Sequence, residues 1–187
     1  TSTQLGALDS ADIAALNPSA IALTTGNLLG KLTSGQLGLL TNAQLRSLTN
    51  AQLRAILPTA IANLKPSQIS ALGPAQVAQL MTEQVAKLGN AQLKALSPIQ
   101  LAAMTPSQVG AISTTELKLM NASQIRSLSP AQLAGLTVTQ LPTIDTAQLR
   151  AMTNTQLASL TPTQAAALTS TQKAALSATQ RALLKTA

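Results

Sequence analysis

LTNAQLRSLTNAQLRAI, residues 40–56, contains the same eight-residue pattern twice in succession. Gln44 and Gln52 mark the register, and Gln occupies this position in 18 of the 23 consecutive octads that run from Gln4 to Gln180. A fixed short period is typical of repeat proteins, in which each unit is stabilised by its neighbours. The remaining five octads carry other residues at the register position, namely Asp12, Ala20, Leu28, Ala60 and Glu116.

The residues before each register position predict the start of a helix. Thr49 lies three residues before Gln52, which is the spacing of a capping box, and Leu48 and Leu53 flank the pair as a hydrophobic staple. Ser, Thr, Asn or Asp occupies the cap position in 18 of 23 octads. Proline recurs one residue after the cap, where its fixed φ suits the first helical position; these prolines are Pro18, Pro58, Pro66, Pro74, Pro98, Pro106, Pro130 and Pro162.

Two other architectures compete with one short helix per octad. In a continuous helix an octad would turn by about 800°, so the leucines would spiral around the rod, and each interior proline would cost about 3 kcal/mol. A β-solenoid fits poorly, because the apolar positions fall three and five residues apart and Ala, Gln and Pro are poor strand residues. We therefore predict an all-α solenoid, or superhelix, of about 23 capped helices of about five to seven residues each.

Such short helices are unstable alone, so the core must form between octads. The position after Gln is Leu, Ile or Val in 20 of 23 octads, and the position four after Gln is Leu, Ile or Met in 22. Burial of each of these side chains would stabilise the fold by about 1.5–3 kcal/mol, before the cost of lost conformational entropy is subtracted. We predict one array over residues 1–187 with these side chains along its interior.

The pattern breaks in three places. Core leucines at 16, 23 and 32 are spaced by seven and nine residues, which predicts a local bulge. A variant-cap block, residues 57–96, keeps the core but has Leu57, Lys65, Gly73, Met81 and Gly89 at its cap positions, which indicates either drift among repeats or a specialised surface. The last three core positions hold Ala165, Lys173 and Arg181, which predicts a C-terminal cap over 161–187 or, alternatively, a frayed Ala-rich helix.

Composition excludes most side-chain chemistry. The chain has no His, Cys, Phe, Tyr or Trp, so the usual catalytic bases, thiol nucleophiles and metal ligands are missing, and its four Met side chains have no His or Tyr to pair with in haem ligation. Asp9 and Asp12 form a close acidic pair, but both occupy capping positions. We therefore expect no enzyme activity, no catalytic or metal site and no cofactor.

Basic residues recur two positions after Gln and give the one candidate binding surface. Together with a net charge of +7 they suggest a polyanion-binding stripe, although the chain lacks the aromatic residues that stack on bases and most equivalent positions hold Ala or Gly. The alternative is a solvated face without a partner. The six residues are Arg46, Arg54, Lys94, Lys118, Arg126 and Arg150.

Two known families share parts of this pattern. The segments LTNAQLRSLTNAQLRAI and LTPTQAAALTSTQ resemble the Leu-Thr-x-x-Gln octapeptide arrays of large bacterial surface or secreted proteins, often described as haem utilisation or adhesion proteins. That resemblance implies a repeat architecture. MTPSQVGAI, residues 104–112, is similar to the opening of transcription-activator-like effector repeats, but the rest of that repeat, including its base-reading loop, is absent.

The leading functional hypothesis is a structural spacer or display rod of a large bacterial extracellular protein, whose partners are other segments of that protein or the cell surface. The alternative is a basic solenoid that binds DNA or another polyanion, and we do not expect nucleic acid to be the main partner. The chain begins at Thr1 without a visible signal peptide, as a fragment or processed product would. No apolar run is long enough to span a bilayer, so we expect no membrane insertion.

Overall fold

A computed structural model of the protein describes residues 8–23 and 32–184. In these ranges the chain forms short helices and no β-strand, which confirms the predicted all-α fold. Two compact units divide the chain, Thr1–Leu96 and Ser97–Ala187. The first unit contains α1 Ser10–Ala15, α2 Pro18–Leu23, α3 Ser34–Leu37, α4 Asn42–Ser47, α5 Asn50–Ala55, α6 Pro58–Ile61, α7 Pro66–Ala71, α8 Pro74–Ala78, α9 Thr82–Val85 and α10 Asn90–Ala95.

The second unit repeats the same plan. It contains α11 Pro98–Ala103, α12 Pro106–Gly110, α13 Thr114–Leu119, α14 Ala122–Ser127, α15 Pro130–Ala134, the 3-10 helix Leu141–Thr143, α16 Thr146–Ala151, α17 Asn154–Ala158, α18 Pro162–Ala167, α19 Ser170–Ala175 and α20 Ala178–Ala182. Whether the two units form one continuous array, as the sequence predicts, stays a prediction.

In the described residues a typical octad consists of one helical turn or slightly more, followed by a short extended link. Leu48 ends α4 with φ −62° and ψ 132°, and Thr49 follows with φ −71° and ψ 161°, after which α5 begins. No described residue has a positive φ, so the links do not require glycine. The helices are four to six residues long, slightly shorter than the predicted five to seven, and a six-residue helix such as α5 ends because Ile56, four residues after Gln52, is already extended.

The capping box is confirmed in detail. Thr49 Oγ1 accepts from the Gln52 N–H at 3.3 Å, and Gln52 Oε1 accepts from the Thr49 N–H at 2.8 Å. Asp9 and Asp12 cap each other in the same way, with N···O distances of 2.9 and 3.2 Å. The acidic pair is therefore explained by helix capping. The prolines at the predicted first helical position, such as Pro98 and Pro106, do begin helices.

Four of the five octads in the variant-cap block keep half of the capping box, whereas α6, with Leu57 at the cap and Ala60 at the register position, begins with neither bond. Lys65, Gly73, Met81 and Gly89 supply no side-chain acceptor, and α7 to α10 therefore begin without that bond. Their backbone N–H groups still donate to the following Gln Oε1 atoms, at 2.7 to 2.9 Å. The amide of Gln thus fixes the helix start even where the cap residue is changed.

One octad does not form the predicted α-helix. Residues 137–144 form a turn and the 3-10 helix Leu141–Thr143 instead. Pro142, the ninth proline, lies two residues after Gln140 and has no N–H to donate back along an α-helix. Both bonds of the capping box between Thr137 and Gln140 persist, at 3.2 and 2.7 Å. The expectation of one α-helix per octad is therefore wrong for this octad.

The core lies where the period predicts it. Among the described octads, the residue after the register position is buried from Ile13 to Ala165, with at most 4% of its surface exposed. The residues four after Gln, from Leu32 to Leu176, are buried as well. This burial supplies the stability that helices of four to six residues cannot supply alone.

Helices pack on those three octads away. In the first unit α2 packs on α4, α4 on α7, α7 on α10, α3 on α6 and α6 on α9. In the second unit α11 packs on α14, α14 on α16, α16 on α19, α12 on α15 and α15 on α17. We call each such series of stacked helices a column.

Some predictions lie outside this description. Gln4, Leu28 and most of the predicted bulge between Leu16 and Leu32 fall in residues 1–7 and 24–31, and the predicted cap extends into 185–187, which are likewise not described. In the part of the chain that is described, no helix has both the length and the apolarity needed to cross a bilayer.

Candidate functional site

The register glutamines perform a second task beyond capping. Gln76 Oε1 accepts from the Gly73 N–H at 2.9 Å, as in a capping box. Its Nε2 also donates to the carbonyl oxygens of Leu45, Arg46 and Leu48, at 3.0, 3.2 and 3.0 Å. One amide therefore joins the start of its own helix to the end of a helix four octads earlier.

The same contact recurs through both units. Each amide reaches carbonyl oxygens 28, 30 or 31 residues earlier, and the side chains are almost fully buried except for Gln76 and Gln180. We call these side chains the amide ladder. Its members are Gln36, Gln44, Gln52, Gln68, Gln76, Gln84 and Gln92 in the first unit and Gln132, Gln140, Gln148, Gln156, Gln164, Gln172 and Gln180 in the second.

The ladder provides hydrogen-bond donors for carbonyl groups that very short helices leave unpaired. The last four carbonyl groups of a helix have no partner within it, which in a helix of four to six residues is nearly every carbonyl. Backbone groups buried without partners are costly, so the amide donors stabilise the stack. Helices pack three octads apart and amides bond four octads back, so each unit has between three and four octads per superhelical turn.

Sequence reasoning assigned the glutamines to capping alone and missed this contact. A usable signal was present in the composition. Glu serves as well as Gln in a capping box, yet Gln occupies 18 of 23 register positions and Glu occupies one, Glu116. A carboxylate cannot donate to a carbonyl oxygen, so the preference for an amide indicates a required donor.

The six basic candidates are all exposed, as expected for side chains two residues after the register position. Two of them also make structural contacts. Arg46 Nε donates to the Ala71 carbonyl oxygen at 2.9 Å, and Arg150 Nε donates to the Ala175 carbonyl oxygen at 2.7 Å. In both cases the acceptor is 25 residues later, at the C-terminal end of the next helix in the same column.

The structure brings some of these residues together and separates others. Arg126 and Arg150 lie on α14 and α16, which are neighbours in one column. Arg46 and Lys94 belong to a second column, where Ser70 on α7 lies between them. Lys118 lies on α13, which packs on the 3-10 helix. Within the units, the predicted stripe thus includes two pairs of residues that share a column, Arg126 with Arg150 and Arg46 with Lys94, and its binding capacity stays a prediction.

Metal ligands do not cluster in the described residues. No group of three or more His, Cys, Asp or Glu side chains lies close enough there to hold an ion.

Comparison with known proteins gives a partial match. No curated protein matches the chain. Two stretches, residues 85–118 and 141–178, match the sequence model of a family described as the ALTTAQ repeat, and this similarity agrees with a repeat array.

Proposed function

We propose that the chain is a non-catalytic structural segment, a spacer or display segment within a large bacterial protein that acts at the cell surface or outside the cell. Its partners are then the other segments of that protein or the surface to which it is attached. The observation that supports this proposal is the amide ladder. In it a register Gln Nε2 atom donates to backbone carbonyl oxygens of the octad four before it, and the same contact recurs along the chain.

Because the same ladder hydrogen bonds recur in octad after octad, the array can be lengthened without any new kind of contact. Gln84 and Gln164, in different units, bond carbonyl oxygens at the same 28- and 31-residue separations. An octad added to such an array makes the same bonds as its neighbours, so stability and length grow with the number of octads. A spacer requires this property, whereas an enzyme or receptor requires particular residues at one place.

The test is a length series. We expect deletion of residues 41–72, which removes four octads, to leave the helical circular dichroism per residue and a cooperative thermal transition in place. Duplication of the same residues should raise the melting temperature, and the maximum dimension from small-angle X-ray scattering should change in proportion to octad number. A binding activity of the parent protein that disappears with one particular octad, but survives deletion of another, contradicts a spacer.

Polyanion binding is a second candidate, favoured by the shared column of Arg126 and Arg150 and by the exposure of all six candidates. Neighbouring guanidinium groups can bind adjacent phosphates, because each group presents several donors in a fixed plane. Gel-shift titration with duplex DNA tests it at low and at physiological salt. If it holds, affinity falls by about 0.9 log unit per log unit of salt for each phosphate contact.

A matched pair of variants makes the titration specific. R126Q/R150Q should weaken binding more than K65Q/K87Q, which removes two charges at other exposed positions. Equal losses would indicate attraction by net charge alone, and no retardation at low salt would exclude the candidate.

A further inference from the structure

The core position changes character at the C-terminal end of the second unit. The residue after Gln is a buried leucine at Leu149 and Leu157, but it becomes Ala165, Lys173 and Arg181 in the next three octads. Lys173 is half-buried and Arg181 is exposed. Two cations therefore stand in the register that elsewhere forms the apolar interior.

Both cations bond the backbone of the octad before them. Lys173 Nζ donates to the Ala166 carbonyl oxygen at 3.3 Å. Arg181 Nη1 donates to the carbonyl oxygens of Ala174 at 3.4 Å and Leu176 at 2.9 Å. These acceptors lie two and four residues after their own register glutamines.

The acceptors are equivalent to those of the amide ladder. Gln76 donates to Arg46 and Leu48, which also lie two and four residues after a register glutamine. Lys173 and Arg181 thus satisfy, from the adjacent octad, carbonyl groups that an amide four octads later satisfies elsewhere. A further octad stacked on this end would have to displace these bonds and to bury an ammonium or guanidinium group, which is costly without a counter-charge.

Amide donors are also missing from three successive octads that follow Gln4. Three successive register positions hold Asp12, Ala20 and Leu28, none of which has an amide to donate. Asp12 uses its carboxylate to accept from the Asp9 N–H instead. The sequence therefore removes ladder donors in these octads and fills ladder acceptors in the octads of Gln164 and Gln172.

We propose that Lys173 and Arg181 form an end cap that prevents a second copy of this chain from stacking on the C-terminal octads. The inference is independent of the proposed spacer function, since it concerns how the stack is closed and not what the protein displays. With leucine at both positions, the C-terminal octads would present an apolar surface with unfilled carbonyl acceptors, which matches the interior of another stack.

The experiment is sedimentation velocity over about a hundredfold range of protein concentration, since self-association follows mass action. We expect the wild-type chain to keep the mass of one protomer throughout. K173L/R181L restores the usual core residue and should shift to at least twice that mass as concentration rises. Far-ultraviolet circular dichroism establishes that the variant retains its helices.

Two controls keep the result decisive. K65L/K87L also exchanges two cations for leucine, but at exposed positions outside the core register, and should remain a protomer. R181L alone alters an exposed residue, is least able to disturb folding, and should associate at higher concentration than the double variant. The proposal is overturned if R181L and K173L/R181L both remain protomers, if the wild type associates equally, or if K65L/K87L associates to the same extent.

Discussion

At the scale of the residue, glutamine is selected because one amide can accept and donate at the same time. Gln84 is fully buried, its Oε1 accepts from the Met81 N–H at 2.8 Å, and its Nε2 donates to the carbonyl oxygens of Leu53 and Ile56 at 2.8 and 2.7 Å. No other neutral side chain of this length supplies both functions. The cap residue is replaceable, as Met81 shows, whereas the amide bonds three backbone groups, two of them fully buried.

Gln84→Glu therefore tests the donor half of the amide. The carboxylate can still accept from Met81, but it places negative charge against two carbonyl oxygens, so we expect a loss of about 3 kcal/mol or more at pH 7. Burial raises the pKa of the new carboxyl above its unfolded value, so the penalty is full at high pH and shrinks as pH falls toward 4, where the protonated group can donate. Urea denaturation at both pH values measures this difference.

Gln180→Glu is the matched control for that substitution. Gln180 is half-buried, and its amide makes a longer bond of 3.3 Å to the Arg150 carbonyl oxygen. A loss below about 1 kcal/mol is expected, because solvent can replace a partly exposed bond. Equal losses of unfolding free energy at Gln84 and Gln180 would mean that the destabilisation does not come from the buried amide hydrogen bonds.

Leu53 and Thr49 separate core packing from capping within one octad. Leu53 is 1% exposed, so Leu53→Ala should cost about 2–5 kcal/mol by leaving a cavity. Thr49→Ala should cost about 0.5–2 kcal/mol, because the Gln52 Oε1 bond to the cap N–H remains. The order of the two melting temperatures checks this ranking, and a larger loss at Thr49 would contradict stabilisation by stacking.

At the scale of the element, sequence predicts where helices begin far better than how they meet. The cap residue and Gln lie within four residues in α5, and α12 has a proline between them as well, so local chemistry determines where both helices start. The 3-10 helix was also open to local reasoning, because Pro142 stands at a position that needs a donor. Which helix packs on which could not be predicted in this way, since every octad has nearly the same surface.

Close contact between neighbouring helices of a column varies from place to place and can be tested with glycine. Gly38 and Gly110 occupy the same register position, but a Cβ added at Gly110 would lie 2.6 Å from the Gly135 carbonyl oxygen. At Gly38 the nearest atom of the facing octad, the carbonyl oxygen of Asn63 just after α6, would be 3.7 Å away. The small residue is therefore required at Gly110 and not at Gly38.

Gly110→Ala should accordingly destabilise the second unit by about 1–3 kcal/mol, because backbone would have to move. Gly38→Ala should be neutral or should stabilise the first unit by up to about 1 kcal/mol, since alanine loses less conformational entropy in a helix. Thermal melting of the two variants measures the contrast. Similar behaviour of both would show that α12 and α15 separate at little cost.

At the scale of the whole molecule, the superhelical repeat could not be predicted from the sequence. A period of eight residues does not specify which octads pack together. The separations of 24 residues between packed helices and of 28 to 31 residues between hydrogen-bonded groups are therefore seen only in the structure. The candidate basic surface shows the same limit. Exposure of Arg126 and Arg150 followed from the register, but their shared column depends on the number of octads per turn.

Coupling between distant substitutions tests that geometry directly. Gln84 and Leu53 are 31 residues apart and share a hydrogen bond, so Gln84→Glu and Leu53→Ala should be non-additive by about 0.5–3 kcal/mol in a double-mutant cycle. Leu37 occupies the same core position two octads before Leu53, and its carbonyl oxygen bonds Gln68 rather than Gln84. Leu37→Ala and Gln84→Glu should therefore add to within about 0.5 kcal/mol. Coupling that decays smoothly with sequence distance, instead of appearing at four octads, would contradict the ladder.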